Sequence, residues 1–140
     1  MQTKPTYEIR ERQWREAFGV TDGSWFCFVV EGRHGELVGF AKGVPYNHSD
    51  LPDFAGELSK IYLLGAYQRR GLGRRLVGHV ARRFLSQGVA SMLLFAEPHN
   101  PSCRFYEALG AERLLDDTGI FHGAYGWRDL QSLASICPTE

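Results

Sequence analysis

At 140 residues and 15.8 kDa, with 44% hydrophobic and 23% charged residues, the chain has the size and composition of one soluble domain spanning residues 1–140. Sixteen Lys and Arg balance sixteen Asp and Glu, so no global field argues for nucleic acid or a membrane surface, and no apolar run of ~18 residues argues for a membrane span. Cys27, Cys103 and Cys137 are odd in number and lack metal-type spacing; with no signal-peptide core at the N-terminus, they read as free thiols of a cytoplasmic protein.

Taken in order, Tyr7 to Phe18 reads as an amphipathic helix that offers Ile9, Trp14, Ala17 and Phe18 for burial and ends at Gly19. Trp25 to Val30 and Glu36 to Val44 are apolar runs joined by Gly32-Arg33-His34-Gly35, which predicts a hairpin. Tyr46 to Gly56 is a loop long enough to shape a site. Glu57 to Leu64 follows as a strand. A helix then opens at Gly71, with Leu72, Leu76, Val80 and Phe84 in one row, Val77, Ala81 and Leu85 beside it, and Gly88 as its stop.

Val89 to Ala96 is apolar almost without alternation, as expected of a parallel strand covered on both faces. Asn100 and Pro101 suit the cap and first position of a helix that runs to Leu109 and closes at Gly110. Glu112 to Leu115 and Ala124 to Leu130 are the last strand candidates, joined through the turn at Asp116-Asp117-Thr118-Gly119. This order predicts an α/β (α+β) fold: a mixed sheet with helices on both faces.

The turn Gln68-Arg69-Arg70-Gly71-Leu72-Gly73 carries the chemistry. A glycine-bearing turn that opens a helix is an anion site, because free backbone amides and the positive end of the helix dipole point the same way. It ends in Gly73-Arg74 where a nucleoside-triphosphate loop has Gly-Lys-Ser/Thr, and its spacing is not that of a dinucleotide fingerprint. Six arginines (69, 70, 74, 75, 82 and 83) fall within fifteen positions that hold no Asp or Glu. Such a run fits a solvated helix face; Arg69, Arg70 and Arg74 also fit a polyphosphate cradle, whereas Arg82 and Arg83 read as solvated.

Gln68-x-x-Gly71-x-Gly73 after a strand resembles the acyl-CoA pyrophosphate loop of the GNAT superfamily of N-acetyltransferases. Further landmarks follow at fitting distances: the strand Ala90 to Ala96, Asn100-Pro101, and Phe105-Tyr106-Glu107-x-x-Gly110, with Cys103 at the family's usual alanine and Ala111 at its usual phenylalanine. The resemblance covers roughly Trp25 to Leu130. It implies a mostly antiparallel sheet with a central parallel pair of strands that splay apart, acetyl-CoA as co-substrate, and transfer of its acetyl group to a primary amine of a small molecule or peptide. Leu63 and Leu64 would then pair with the pantetheine arm, and Gln68, Arg69, Arg70, Gly71, Leu72, Gly73 and Arg74 would hold the phosphates.

By the same resemblance Glu57 is the candidate base and Tyr106 the candidate acid at the CoA sulfur. Read from the residues alone, a carboxylate like Glu57 is more often a solvated strand end and a tyrosine like Tyr106 more often a packed core aromatic. Asn100 is explained by capping, yet the family often turns this side chain toward the pantetheine. The loop histidines His48 and His99 are not read as bases, although His99 could line the acceptor side.

Trp25, Tyr46 and Phe121 would suit an apolar acceptor, and Asp50, Asp53 and Glu57 a cationic one. No metal ligand set is evident. A rival reading is an acyl-CoA-binding sensor or structural module without turnover; a nucleotide-phosphate binder is a third. Only six residues precede Tyr7, so the family's first strand and helix are expected to be missing. That would leave the Trp25 strand as an open edge, to be covered by a second copy in a homodimer.

Overall fold

The computed structural model describes residues 7–12, 25–65, 68 and 71–138. The apolar, β-branched and aromatic runs form strands: β1 (Tyr7–Arg12), β2 (Phe26–Gly32), β3 (Leu37–Pro45), β4 (Gly56–Leu63), β5 (Met92–Phe95), β6 (Glu112–Leu115) and β7 (Phe121–Trp127). They make one seven-stranded sheet in the order β1-β2-β3-β4-β5-β7-β6, antiparallel except for the β4–β5 pair. Three helices complete the described chain: α1 (Leu72–Ser86), α2 (Ser102–Ala108) and α3 (Leu130–Ile136).

Alternation along the strands divides the core. Phe26, Phe28 and Val30 of β2 point to the face that α1 covers with Leu72, Leu76, Val77, Val80, Ala81 and Phe84, the two rows expected from their spacing. Trp25, Cys27 and Val29 point to the other face and pack with Phe40 and Val44. All three described helices share the first cluster.

The N-terminal reading is corrected. Tyr7–Arg12 is a strand, not the start of a helix; the rest of the expected helix, Trp14, Ala17 and Phe18 included, lies outside the described residues. β2 presents a full row of backbone amides and carbonyls, and pairing with it outweighs a weak helical pattern. The first strand is therefore present, β2 is not an open edge, and the homodimer expected on that ground loses its premise. The edge passes to β1, whose Glu8, Arg10, Glu11 and Arg12 make it an unattractive template for another chain. Arg10 Nε and Arg12 Nη2 both reach the Glu31 carboxylate, at 3.1 and 3.0 Å, and fix its register.

Arg82 and Arg83 are likewise more than solvated. Arg83 Nε donates to Glu11 of β1 at 3.1 Å, with its guanidinium over the Phe26 ring. Arg82 donates to the carbonyls of Ala134 and Cys137, both at 2.7 Å, and so caps the C-terminal end of α3. The expected strand Ala124 to Leu130 is in fact the end of β7 followed by α3, which Asp129 opens by accepting from the amides of Gln131 and Ser132.

α3 lies so close to α1 that a methyl group on Gly78 would stand 2.2 Å from the Cys137 carbonyl oxygen. Gly78→Ala gains about 1 kcal/mol of helix propensity but must displace backbone, an overpacking cost of about 1–3 kcal/mol. The variant is expected to show a lower urea midpoint with an unchanged slope.

Candidate active site

The parallel ladder between β4 and β5 holds for only two residue pairs, Gly56 with Met92 and Glu57 with Leu93. Beyond them β4 keeps its pairing with β3, and β5 its pairing with β7, so the two strands part. The splayed pair opens a groove of about 640 Å³, lined on the helix side by Leu58, Ile61, Leu94, Asn100, Ser102 and Tyr106. On its other side stand Phe40, Lys60, Tyr62, Phe95 and Glu97. No sequence pattern singles out any of these five.

Polar backbone also faces this groove. Leu64 gives its amide to Val38 of β3 at 2.8 Å, and in an antiparallel ladder alternate residues point opposite ways, so Ile61 and Leu63 direct theirs into the gap. Of the two leucines expected there, Leu63 points its amide into the gap, whereas the Leu64 amide is committed to the sheet. A β-bulge at Ser59 separates the Gly43–Leu58 and Lys42–Lys60 pairs. It lets Leu58 and Ile61 face the same core while Glu57, Lys60 and Tyr62 face the opposite side.

At the open end the chain turns back. Gln68 Nε2 donates to the Leu63 carbonyl at 2.9 Å, so its side chain helps to close the turn. Arg69 and Arg70 lie outside the described residues. Gly71 has φ 79°, a left-handed conformation that other L-residues adopt only at a cost, and it stands just ahead of α1. The first helical hydrogen bond runs from Arg75 N to Gly71 O at 3.1 Å. The amides of Leu72, Gly73 and Arg74 come before it, no side chain caps the turn, and the first turn holds no acidic residue.

Leu72 itself is fully buried, so only its backbone is available. Gly73 allows close approach to α2: a methyl there would lie 3.2 Å from the Phe105 ring. Arg74 is exposed and hydrogen-bonded to the Cys137 thiol, which burial pushes above its ordinary pKa against the pull of Arg74.

Glu57 sits at the apex of the V, half-buried. Burial raises its carboxyl above the ordinary value, and the nearby His48 pulls it partway back. Tyr46 lies on the same side, buried against Phe54 and Leu93, with its hydroxyl donating to Asp50 Oδ1 at 2.8 Å and its pKa pushed up to about 12 by burial. Tyr106 is 6% exposed and lines the groove one helical turn beyond Ser102, whose side chain hydrogen-bonds its hydroxyl. Burial raises its pKa, so the phenol stays protonated at neutral pH.

Asn100 lines the groove while its Oδ1 accepts from Ser102 N at 2.8 Å, so capping and lining coexist. His99 is exposed on the loop beside it. Trp25 is buried in the second-face cluster, and Phe121 packs on the core under the Arg113 guanidinium; neither lines the groove. Among the described residues, no three His, Cys, Asp or Glu gather as a metal site.

This arrangement can bind an extended, amide-bearing arm along β4, hold an anion at the start of α1, and manage protons at Glu57 and Tyr106. Residues 2–111 match the family model described as "Acetyltransferase (GNAT) family". The chain is 36% identical over 115 residues to the uncharacterized N-acetyltransferase YuaI of Bacillus subtilis, covering 78% of this chain and 66% of that one. Among solved structures, a GNAT-family acetyltransferase from Staphylococcus aureus superposes with TM-score 0.69 at 13% identity, over 89% of this chain and 99% of the other. The PaiA N-acetyltransferase of Thermoplasma acidophilum, solved in complex with coenzyme A, superposes with TM-score 0.61 at 17% identity, over 80% and 64%.

Proposed function

Because this chain belongs to the acetyltransferase (GNAT) family, we propose that it acts as a single-domain, acetyl-CoA-dependent N-acetyltransferase on a primary amine of a small molecule or peptide. One observation carries the reading: the two-pair ladder that ends at Glu57 and opens, beyond it, a groove with Tyr106 on its wall. The described residues fit the co-substrate. The Ile61 and Leu63 backbone suits the amides of a pantetheine arm, and the uncapped first turn of α1 suits a pyrophosphate. Bound acetyl-CoA supplies an acetyl group activated as a thioester.

The residues of the chain manage the protons. An ammonium is not nucleophilic, and Glu57, ionised above its raised pKa, takes the proton that leaves the attacking nitrogen. The Tyr106 hydroxyl, held neutral by burial, donates to the departing sulfur. The half-buried setting that raises the Glu57 pKa also makes it the stronger base.

Tyr106→Phe is expected to cost roughly tenfold in turnover, less than loss of the base, because water can protonate a thiolate whose thiol has a pKa of ~8.5. Steady-state thiol release at saturating acetyl-CoA reads the difference. The same release assay against a panel of amines tests the proposal itself, since acetyl transfer to any of them supports it. No described helix is long and apolar enough to cross a membrane, and Cys27, Cys103 and Cys137 are free and buried. Free thiols support placing the enzyme in the reducing cytoplasm.

A further inference from the structure

The groove is lined from both faces of the sheet, and on the face opposite α1 its rim is aromatic. Tyr62 and Phe95 are 52% and 53% exposed although each belongs to a strand, and they rise from the two arms of the V. Phe40 backs Tyr62 with ring centroids 6.2 Å apart, and Tyr46 backs Phe95 at 6.0 Å. Each exposed ring is thus held by a second ring behind it and presents a free face to the groove mouth. Glu57 shares this face at the apex, and Phe95 lies two residues beyond Leu93, the register partner of Glu57, which is about 7 Å along the strand.

Charge at this mouth does not suit a polycation. Asp50 is bound to the Tyr46 hydroxyl, and Asp53 is paired with Arg128 Nη1 at 2.8 Å. The groove lining carries one cation, Lys60, and one anion, Glu97. A carboxylate at the apex, with one supported ring about 7 Å along β5 and a second farther out along β4, recognises one ammonium and one flat body.

We propose that the acceptor is a monoamine whose amino group is joined by a short linker to an aromatic body, the nitrogen placed at Glu57 and the ring against Phe95, with its outer edge toward Tyr62. The proposal rests on the transferase reading above. Edge or face contact with two supported rings binds the body, and the lining, with one cation and one anion, adds no net negative charge to hold a second ammonium.

The test measures thiol release by the purified chain with acetyl-CoA, using 2-phenylethylamine and spermidine as probes. kcat/KM is expected to favour 2-phenylethylamine by about tenfold or more, and Phe95→Ala and Tyr62→Ala each to lower it by about tenfold, mainly through KM. Both rings are half-exposed, so the fold does not depend on them; Phe95→Leu, which keeps apolar bulk, is expected to recover part of the loss. Spermidine acetylated as well as 2-phenylethylamine would overturn the acceptor assignment and leave the transferase standing. Alanine variants that both keep the parent's preference between the two amines would overturn it in the same way. Acetyl-CoA binding seen as a melting shift, with no thiol released by 2-phenylethylamine, would overturn the acceptor assignment, and no release with any amine of the panel would overturn the transferase reading as well.

Discussion

Glu57→Gln is expected to lower turnover by ~10² to 10⁴ while acetyl-CoA binding changes little, because a general base contributes on that scale and the amide keeps the shape of the carboxyl. The pH profile identifies the residue. In the parent, activity falls as pH drops through the Glu57 pKa, which burial places above the ordinary carboxylate value. In the variant that acid limb disappears, and only the titration of the amine remains.

Stability gives an independent sign. A carboxyl whose folded pKa is raised favours the folded state below its unfolded pKa and loses that contribution as pH climbs through the folded value. At pH 7 the ionised Glu57 therefore opposes folding, and the neutral Gln should melt no lower than the parent. A variant more stable at neutral pH and far less active is what a functional carboxylate leaves behind. Full activity of the variant across the pH range would move the base to water or to another residue.

The second large effect concerns Gly71. A ligand at 100 times its dissociation constant adds about 2.7 kcal/mol, which for a domain of this length raises the melting temperature by roughly 10 °C. Gly71→Asp should remove that shift. It puts a carboxylate where the uncapped first turn of α1 would receive a pyrophosphate, and two like charges there repel.

The variant should still fold. Asp tolerates a left-handed φ better than most residues, none of the described residues crowds a side chain at this position, and a negative charge at a helix N-terminus is itself favourable. Gly71→Ala, which adds strain without charge, is the control and should keep a large part of the shift. An undiminished shift in Gly71→Asp would place the phosphates elsewhere.

How much of the fold is legible in advance follows from where the information sits in the chain. The rows of α1 and the glycine at its start are local patterns, and so is the almost unbroken apolar run of β5, whose neighbours cover both faces. β1 is not legible, because Tyr7–Arg12 has little pattern of its own and becomes a strand only through the β2 edge 15 or more residues away. α3 does carry a signal: Asp129 as cap, followed by Leu130, Leu133, Ala134 and Cys137 at helical spacing. The strand-like aromatics before it mask that signal.

The roles of Arg82 and Arg83 depend on α3 and β1, so they cannot be read before those elements are placed. At the site, Glu57, Gly71 and Tyr106 stand out through a sequence pattern. Tyr62 and Phe95 do not, because their meaning comes from the splay of β4 and β5 and from the bulge at Ser59, neither of which leaves a mark in the local residue order.

The most direct measurement of the central claim is mass analysis of the reaction mixture after the purified chain is incubated with acetyl-CoA and a primary amine. The account predicts an amine carrying one added acetyl group in amounts equal to the free CoA released, with both reduced together in Glu57→Gln. Acetyl-CoA that binds and raises the melting temperature, yet leaves the amine unmodified at every pH, would contradict it and make this groove a sensor of acyl-CoA instead of a catalyst.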